Sequence, residues 1–91
     1  REQEMKMVLT SEVENVDNWL ANRVERHATI LQFAENIVEY ANAEANNVVA
    51  LTFDIVDEKK MDELMQSEDT RNDMIRHGVK PETVTSYLEK P

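Results

Sequence analysis

Ninety-one residues make one small domain with a modest core, which a partner's surface would help to complete. Nineteen acidic against ten basic side chains give a formal charge of −9, which repels phosphate and argues against nucleic acid or an anionic membrane as a direct partner. There is no cysteine, hence no disulfide framework and no thiolate metal site.

No apolar run is long enough for a helical membrane span. The start, Arg1-Glu2-Gln3-Glu4, lacks the apolar stretch of a signal peptide, so a cytoplasmic location is expected.

In chain order, residues 1–10 read as an N-terminal arm with Met5, Met7, Val8 and Leu9 as its apolar members, and residues 11–91 as a single helical domain. Ser11 followed by Glu14 is a capping-box pattern, which starts a helix that runs to about Asn46 or Asn47. Along it Val13, Val16, Leu20, Val24, Leu31, Ala34, Val38, Ala41 and Ala45 recur at steps of three, four or seven, and no Gly or Pro occurs before Gly78. From Ile30 to Ala41 the stripe widens, as at the centre of a bundle. The remaining chain is too short to cover such a stripe. A homo-oligomer is therefore expected, with Val13, Val16, Leu20, Val24, Leu31 and Val38 as its interface.

Residues 48–56 carry two patterns. Val49, Leu51, Phe53 and Ile55 alternate as in a strand, and Val48, Leu51, Thr52, Ile55 and Val56 share a helix face. No partner strand is evident, so the helix reading is preferred. Asp57 is a cap or a continuation towards Met61, Leu64 and Met65, and the polar stretch Ser67–Thr70 interrupts. Met74 and Ile75 lie on a short helix ended by Gly78, and Lys80-Pro81-Glu82 opens a last helix with Val84, Tyr87 and Leu88 inside. The expected fold is all-α: a long N-terminal helix plus two or three shorter ones, bundle-like and completed by oligomerisation.

Few residues form a chemical constellation. Glu35 and Glu39, one helical turn apart, could hold a hard cation together with Glu58, Asp62 and Glu63 from a second helix, as in helical metal-dependent nucleotide hydrolases. Their spacing matches no acid motif, so a solvated face is preferred and no metal or cofactor is assigned. His27 and His77 have no second His or Cys nearby to make a zinc site. Ser11, Ser67 and Ser86 lie in no nucleophile elbow, and a single glycine excludes a glycine-rich phosphate loop. Residues 71–89 have the outline of a helix-turn-helix, but the second helix offers only Lys90 as a base, so the outline reads as packing.

From His27 to Glu58 there is no Lys or Arg, while Glu35, Glu39, Glu44, Asp54, Asp57 and Glu58 are acidic. Such a stretch projects a negative potential suited to a basic protein partner. The expected function is therefore non-enzymatic: a small acidic helical interaction module acting as inhibitor, adaptor or assembly factor. Trp19, Glu35, Glu39, Tyr40 and Glu44 are its expected partner-binding residues. The hydrolase and a transcription-associated helix-turn-helix module are the alternatives.

Overall fold

The computed structural model describes residues 5–44 and 46–90. Its first element is a strand, β1 (Met5–Glu12), on which Met7 and Leu9 turn inward between Lys6, Val8 and Thr10. Ser11 does not cap a helix. It sits in β1 opposite Val49.

Helix formation starts four residues later. The Asn15 side chain accepts the Asn18 backbone N–H and caps α1 (Val16–Ala21). The helix breaks at Asn22, whose Nδ2 donates to the Asn18 carbonyl at 2.8 Å, and resumes as α2 (Arg23–Ile30). A turn through Phe33 leads to β2 (Ala34–Ala41), and β3 (Val48–Ile55) returns beside it. Val49, Leu51, Phe53 and Ile55 are all buried, so the strand pattern of this segment is the one realised.

The second half repeats the plan. Asp57 caps α3 (Glu58–Met65) and Ser67 caps α4 (Glu68–Arg76), each accepting a backbone N–H three residues on. Gly78 ends α4 at φ +82°, a conformation that suits glycine. Its carbonyl accepts the Glu14 N–H at 2.8 Å, which ties the two halves together. Pro81 then opens only a 3-10 turn, Pro81–Thr83, before β4 (Thr85–Leu88).

The four strands form one antiparallel sheet in the order β2-β3-β1-β4. Strand, helices, two strands, helices, strand in that order is the ferredoxin-like α+β arrangement. The helices cover one face of the sheet and bury Met7, Val13, Trp19, Ile30, Phe33, Phe53 and Met61 against it. Phe33 and Phe53 meet edge to face at 5.5 Å.

The expectation of an all-α bundle is thus corrected. Residues 11–46 are not one helix but the end of a strand, two short helices, a turn and a second strand. The long stripe does not exist as a surface: Val13 is 0% exposed in the core, while Val24 is 81% exposed. Val16 and Leu20 pack against the core from α1, Leu31 is exposed just past α2, and Val38 is exposed on β2. Ala45, which closed the expected stripe, and residues 1–4 of the expected arm lie outside the described residues. The helix-turn-helix outline fails because its second helix is β4. Among the described residues no helix is long and apolar enough to cross a membrane.

Candidate active site

Between the sheet and the helices lies a cavity of about 100 Å³. β1 and β3 supply Leu9, Ser11, Val49 and Leu51, and α1 and α2 supply Trp19, Arg26, Thr29 and Ile30. Leu64, Met65, Thr70, Asp73, Met74 and His77 close it from α3 and α4. A more open groove of about 410 Å³ lies alongside, lined by Arg71, Gln66 and Pro81 among others. Met65, Met74 and Val84 border both spaces, so two flexible thioether side chains stand between groove and cavity. An apolar cavity of roughly 150 Å³ holds a benzene ring, so this smaller one takes a ring only if Met65 and Met74 give way towards the groove.

Two ion clusters flank it. The first depends on a β-bulge. In β2, Glu35 lies opposite Asp54 and Val38 opposite Thr52, so Asn36 and Ile37 together face the single residue Phe53. Asn36 adopts φ +57°, and its Nδ2 donates to Asp54 Oδ2 at 2.9 Å. The extra residue changes the phase of the strand. Glu35 points to the open face of the sheet, and Glu39 points to the helices. The Glu39 side chain is 2% exposed, with Arg26 Nε at 2.6 Å, His27 Nε2 at 3.1 Å and Arg23 Nε at 3.3 Å. Burial pulls the Glu39 carboxyl up, but Arg26 and His27 outweigh it and hold the group below its ordinary range. Arg26 also donates from Nη1 to the Trp19 carbonyl at 2.8 Å and stacks 4.1 Å from the centroid of the Trp19 ring.

The second cluster joins α2 to α4. Glu25 accepts from Arg76 Nη2 at 2.6 Å and lies 3.2 Å from His77 Nε2. Arg76 also reaches Asp73 at 2.6 Å. Arg76 first, then His77, hold the Glu25 carboxyl down at about 2. His77 is 5% exposed and lines the cavity, with its Nε2 held by Glu25. A buried imidazole with one nitrogen held by a carboxylate is fixed in orientation on the cavity wall.

The residues expected to bind a partner are scattered. Trp19, 1% exposed, and Glu39 are inside the protein. Tyr40 is half exposed on the open sheet face, Glu35 is on the same face, and Glu44 is in the β2–β3 loop. The bulge separates Glu35 from Glu39, and among the described residues no three acidic or imidazole groups gather as a metal site. Sequence reading missed Arg26 and the role of His77. His77 pairs with Glu25 across 52 residues, a separation at which no spacing rule signals a partner.

No protein-family model and no curated protein matches the sequence. Solved structures do match. SnoaB, a cofactor-independent oxygenase from Streptomyces nogalater, superposes with a TM-score of 0.70 at 10% identity, over 97% of this chain and 92% of that one. A protein provisionally named an antibiotic biosynthesis monooxygenase, from Bordetella bronchiseptica, gives 0.70 at 13% identity over 97% and 96%. A protein of the same provisional name from Nitrosomonas europaea gives 0.64 at 10% identity over 97% and 89%.

At such identities the likeness establishes the fold. It overturns the helical interaction module, and the helical hydrolase and helix-turn-helix readings with it. The expectation of a non-enzyme is corrected with them: it rested on the all-α module, which the α+β fold replaces, and these neighbours of that fold are named as oxygenases.

Proposed function

We propose that this chain is an oxygenase that uses no cofactor and acts on a small, electron-rich, enolisable molecule seated in the cavity between sheet and helices. The observation that carries this reading is the dyad of Glu25 and His77, with a buried imidazole on the wall of a mostly apolar cavity, in a fold shared with a cofactor-independent oxygenase.

The chemistry follows from electron supply. Without a cofactor the substrate itself must reduce oxygen, and a carbanion or enolate does so far more readily than its neutral parent. His77 takes a proton from an activated methylene, and Glu25 holds the ring and balances the imidazolium. The substrate anion passes one electron to O2. The resulting radical and superoxide join in a C–O bond, giving a peroxide once protonated. Loss of the second hydrogen from that carbon and cleavage of the O–O bond leave a carbonyl and release water. The balance is CH2 plus O2 to C=O plus H2O. The apolar walls keep bulk water from protonating the anion.

Oxygen uptake over a panel of aryl ketones with acidic methylenes, in chelator-treated buffer, tests this reading. Uptake above the protein-free rate is expected, and His77→Gln should lower it by about 100-fold or more. Glu25→Gln should lower it less. No uptake anywhere in the panel, or an unaffected His77→Gln, would overturn the proposal.

A homo-oligomer remains part of the proposal, with its seam moved to the sheet. Val38, Tyr40 and Tyr87 are exposed on the face that carries no helix, a concentration of apolar surface suited to a second copy of the same face. Sedimentation equilibrium should give twice the chain mass, and Tyr40→Asp should halve it. A cytoplasmic setting, expected from the sequence, is kept with the proposal.

A further inference from the structure

We propose that Met65 and Met74 decide which ligands the cavity admits, and that the cavity and the groove beside it form one site for an elongated molecule, apolar at its inner end and hydrogen-bonding at its outer end. This rests on reading the cavity as the ligand site.

The two spaces differ in size. The cavity of about 100 Å³ falls short of the roughly 150 Å³ that holds a benzene ring, whereas the groove of about 410 Å³ exceeds it. Met65 and Met74 border both spaces, and each is only partly buried. A methionine side chain is unbranched with three rotatable bonds, so it can swing out of a gap while the backbone stays in place.

The helix that carries Met74 is set for such movement. α4 has no buried residue along its length. Thr70, Asp73 and Met74 line the cavity from it, and Arg71 and Met74 line the groove. Interiors are normally close-packed, so a helix whose inner side stays partly exposed stands over unfilled space. Ser67 caps its start and Gly78 ends it, so the helix itself is well formed and the looseness lies beneath it.

The two spaces also differ in chemistry. Leu9, Ile30 and Leu51 are among the mostly apolar walls of the cavity, while Gln66, Ser67, Glu68 and Arg71 give the groove polar sides. One acid and one base line the same groove, so a neutral end with hydroxyl or carbonyl groups matches it better than a full charge. In the reaction proposed above, the activated methylene lies inside with His77, and the polar end stays with Gln66 and Arg71.

The test compares p-cresol, a single ring, with 2-naphthol, two rings long, both titrated by calorimetry. Met65→Ala and Met74→Ala should each raise the affinity for 2-naphthol by at least about tenfold, and that for p-cresol by less. Should an alanine variant fail to fold, resonances of the wild-type protein serve instead. Gln66 and Arg71 line only the groove, and their side-chain N–H signals should move with 2-naphthol and stay with p-cresol. Leu9 and Leu51 line only the cavity, and their methyl signals should move with both compounds.

An unchanged 2-naphthol affinity in either folded variant, an equal gain for the two compounds, or groove signals that stay fixed with 2-naphthol would overturn the proposal. So would the absence of binding by both compounds. These measurements read binding alone. Failure of oxygen uptake would leave the methionine gate standing, and an inert gate would leave the dyad of Glu25 and His77 standing.

Discussion

Glu25 and Arg26 are consecutive residues of α2, yet their side chains end in two unlike ion clusters. Glu25 joins Arg76, Asp73 and His77 at the rim, where the Glu25, Arg76 and Asp73 side chains are about half exposed. Arg26 joins Glu39 under the helix, where the carboxylate is almost completely enclosed. In the rim cluster Glu25 and Asp73 share one guanidinium, that of Arg76. In the inner cluster Glu39 meets Arg26 and the half-exposed Arg23, and Arg26 Nη2, His27 Nε2 and Glu39 Oε1 are enclosed without a hydrogen-bond partner. One helix thus holds, in consecutive residues, a carboxylate paired at the rim and a guanidinium paired inside. Exposed pairs orient a neighbour at little energetic consequence, whereas breaking an enclosed pair leaves a buried charge without its counterpart.

The largest effect expected from this contrast is on stability. Glu39→Ala leaves Arg26 enclosed without its carboxylate and should cost about 3–5 kcal/mol in urea unfolding. Glu25→Ala, at the rim, should cost less than about 1 kcal/mol. Equal costs would remove the distinction between the clusters.

The bulge gives a second, smaller test. Asn36→Val puts a β-branched residue at φ +57° and loses the bond to Asp54, which should cost about 1–3 kcal/mol. Because the bulge turns Glu39 inward, this variant should also broaden the Trp19 and Arg26 resonances. Asn36→Gly should be close to neutral.

The smallest effect is on pH dependence. The Glu25 carboxyl is held down at about 2 by Arg76 and then His77. A group with a lowered folded pKa contributes its stability above the unfolded value. That contribution should fade as pH falls from about 4.5 towards 2. A carboxyl 13C titration should place the Glu25 midpoint near 2, and Arg76→Gln should move it up towards the ordinary range.

The same bulge explains why the fold was only partly legible in the sequence. A regular strand repeats every two residues. One inserted residue at Asn36–Ile37 puts Ala34 and Ile37 three apart on the helix-covered face, and with Val38 on the open face the apolar residues Ala34, Ile37, Val38 and Ala41 fall at spacings of three, four and seven, the signature of a helix. Joined to the real helical spacing of Val16, Leu20 and Val24, this made one false helix across a turn. The alternation in β3 was visible. Its partners were not, because β1 carries only Met5, Met7 and Leu9 as a short alternating set and β4 has four residues. Local signals fared better: Asp57 caps α3, and Gly78 ends α4. The site could not be read, since its two clusters are assembled from α2, β2 and α4 by tertiary contacts.

The proposed chemistry takes place in the cavity between sheet and helices. Its most direct test fills that space and leaves both clusters intact. Leu64 lines the cavity from α3 and is half-buried, without contact to Glu39 or His77 among the described hydrogen bonds and ion pairs. In Leu64→Trp, with its fold verified by circular dichroism and melting, oxygen uptake on a substrate turned over by the wild-type protein should fall to the protein-free rate. Undiminished uptake in that folded variant would contradict the account.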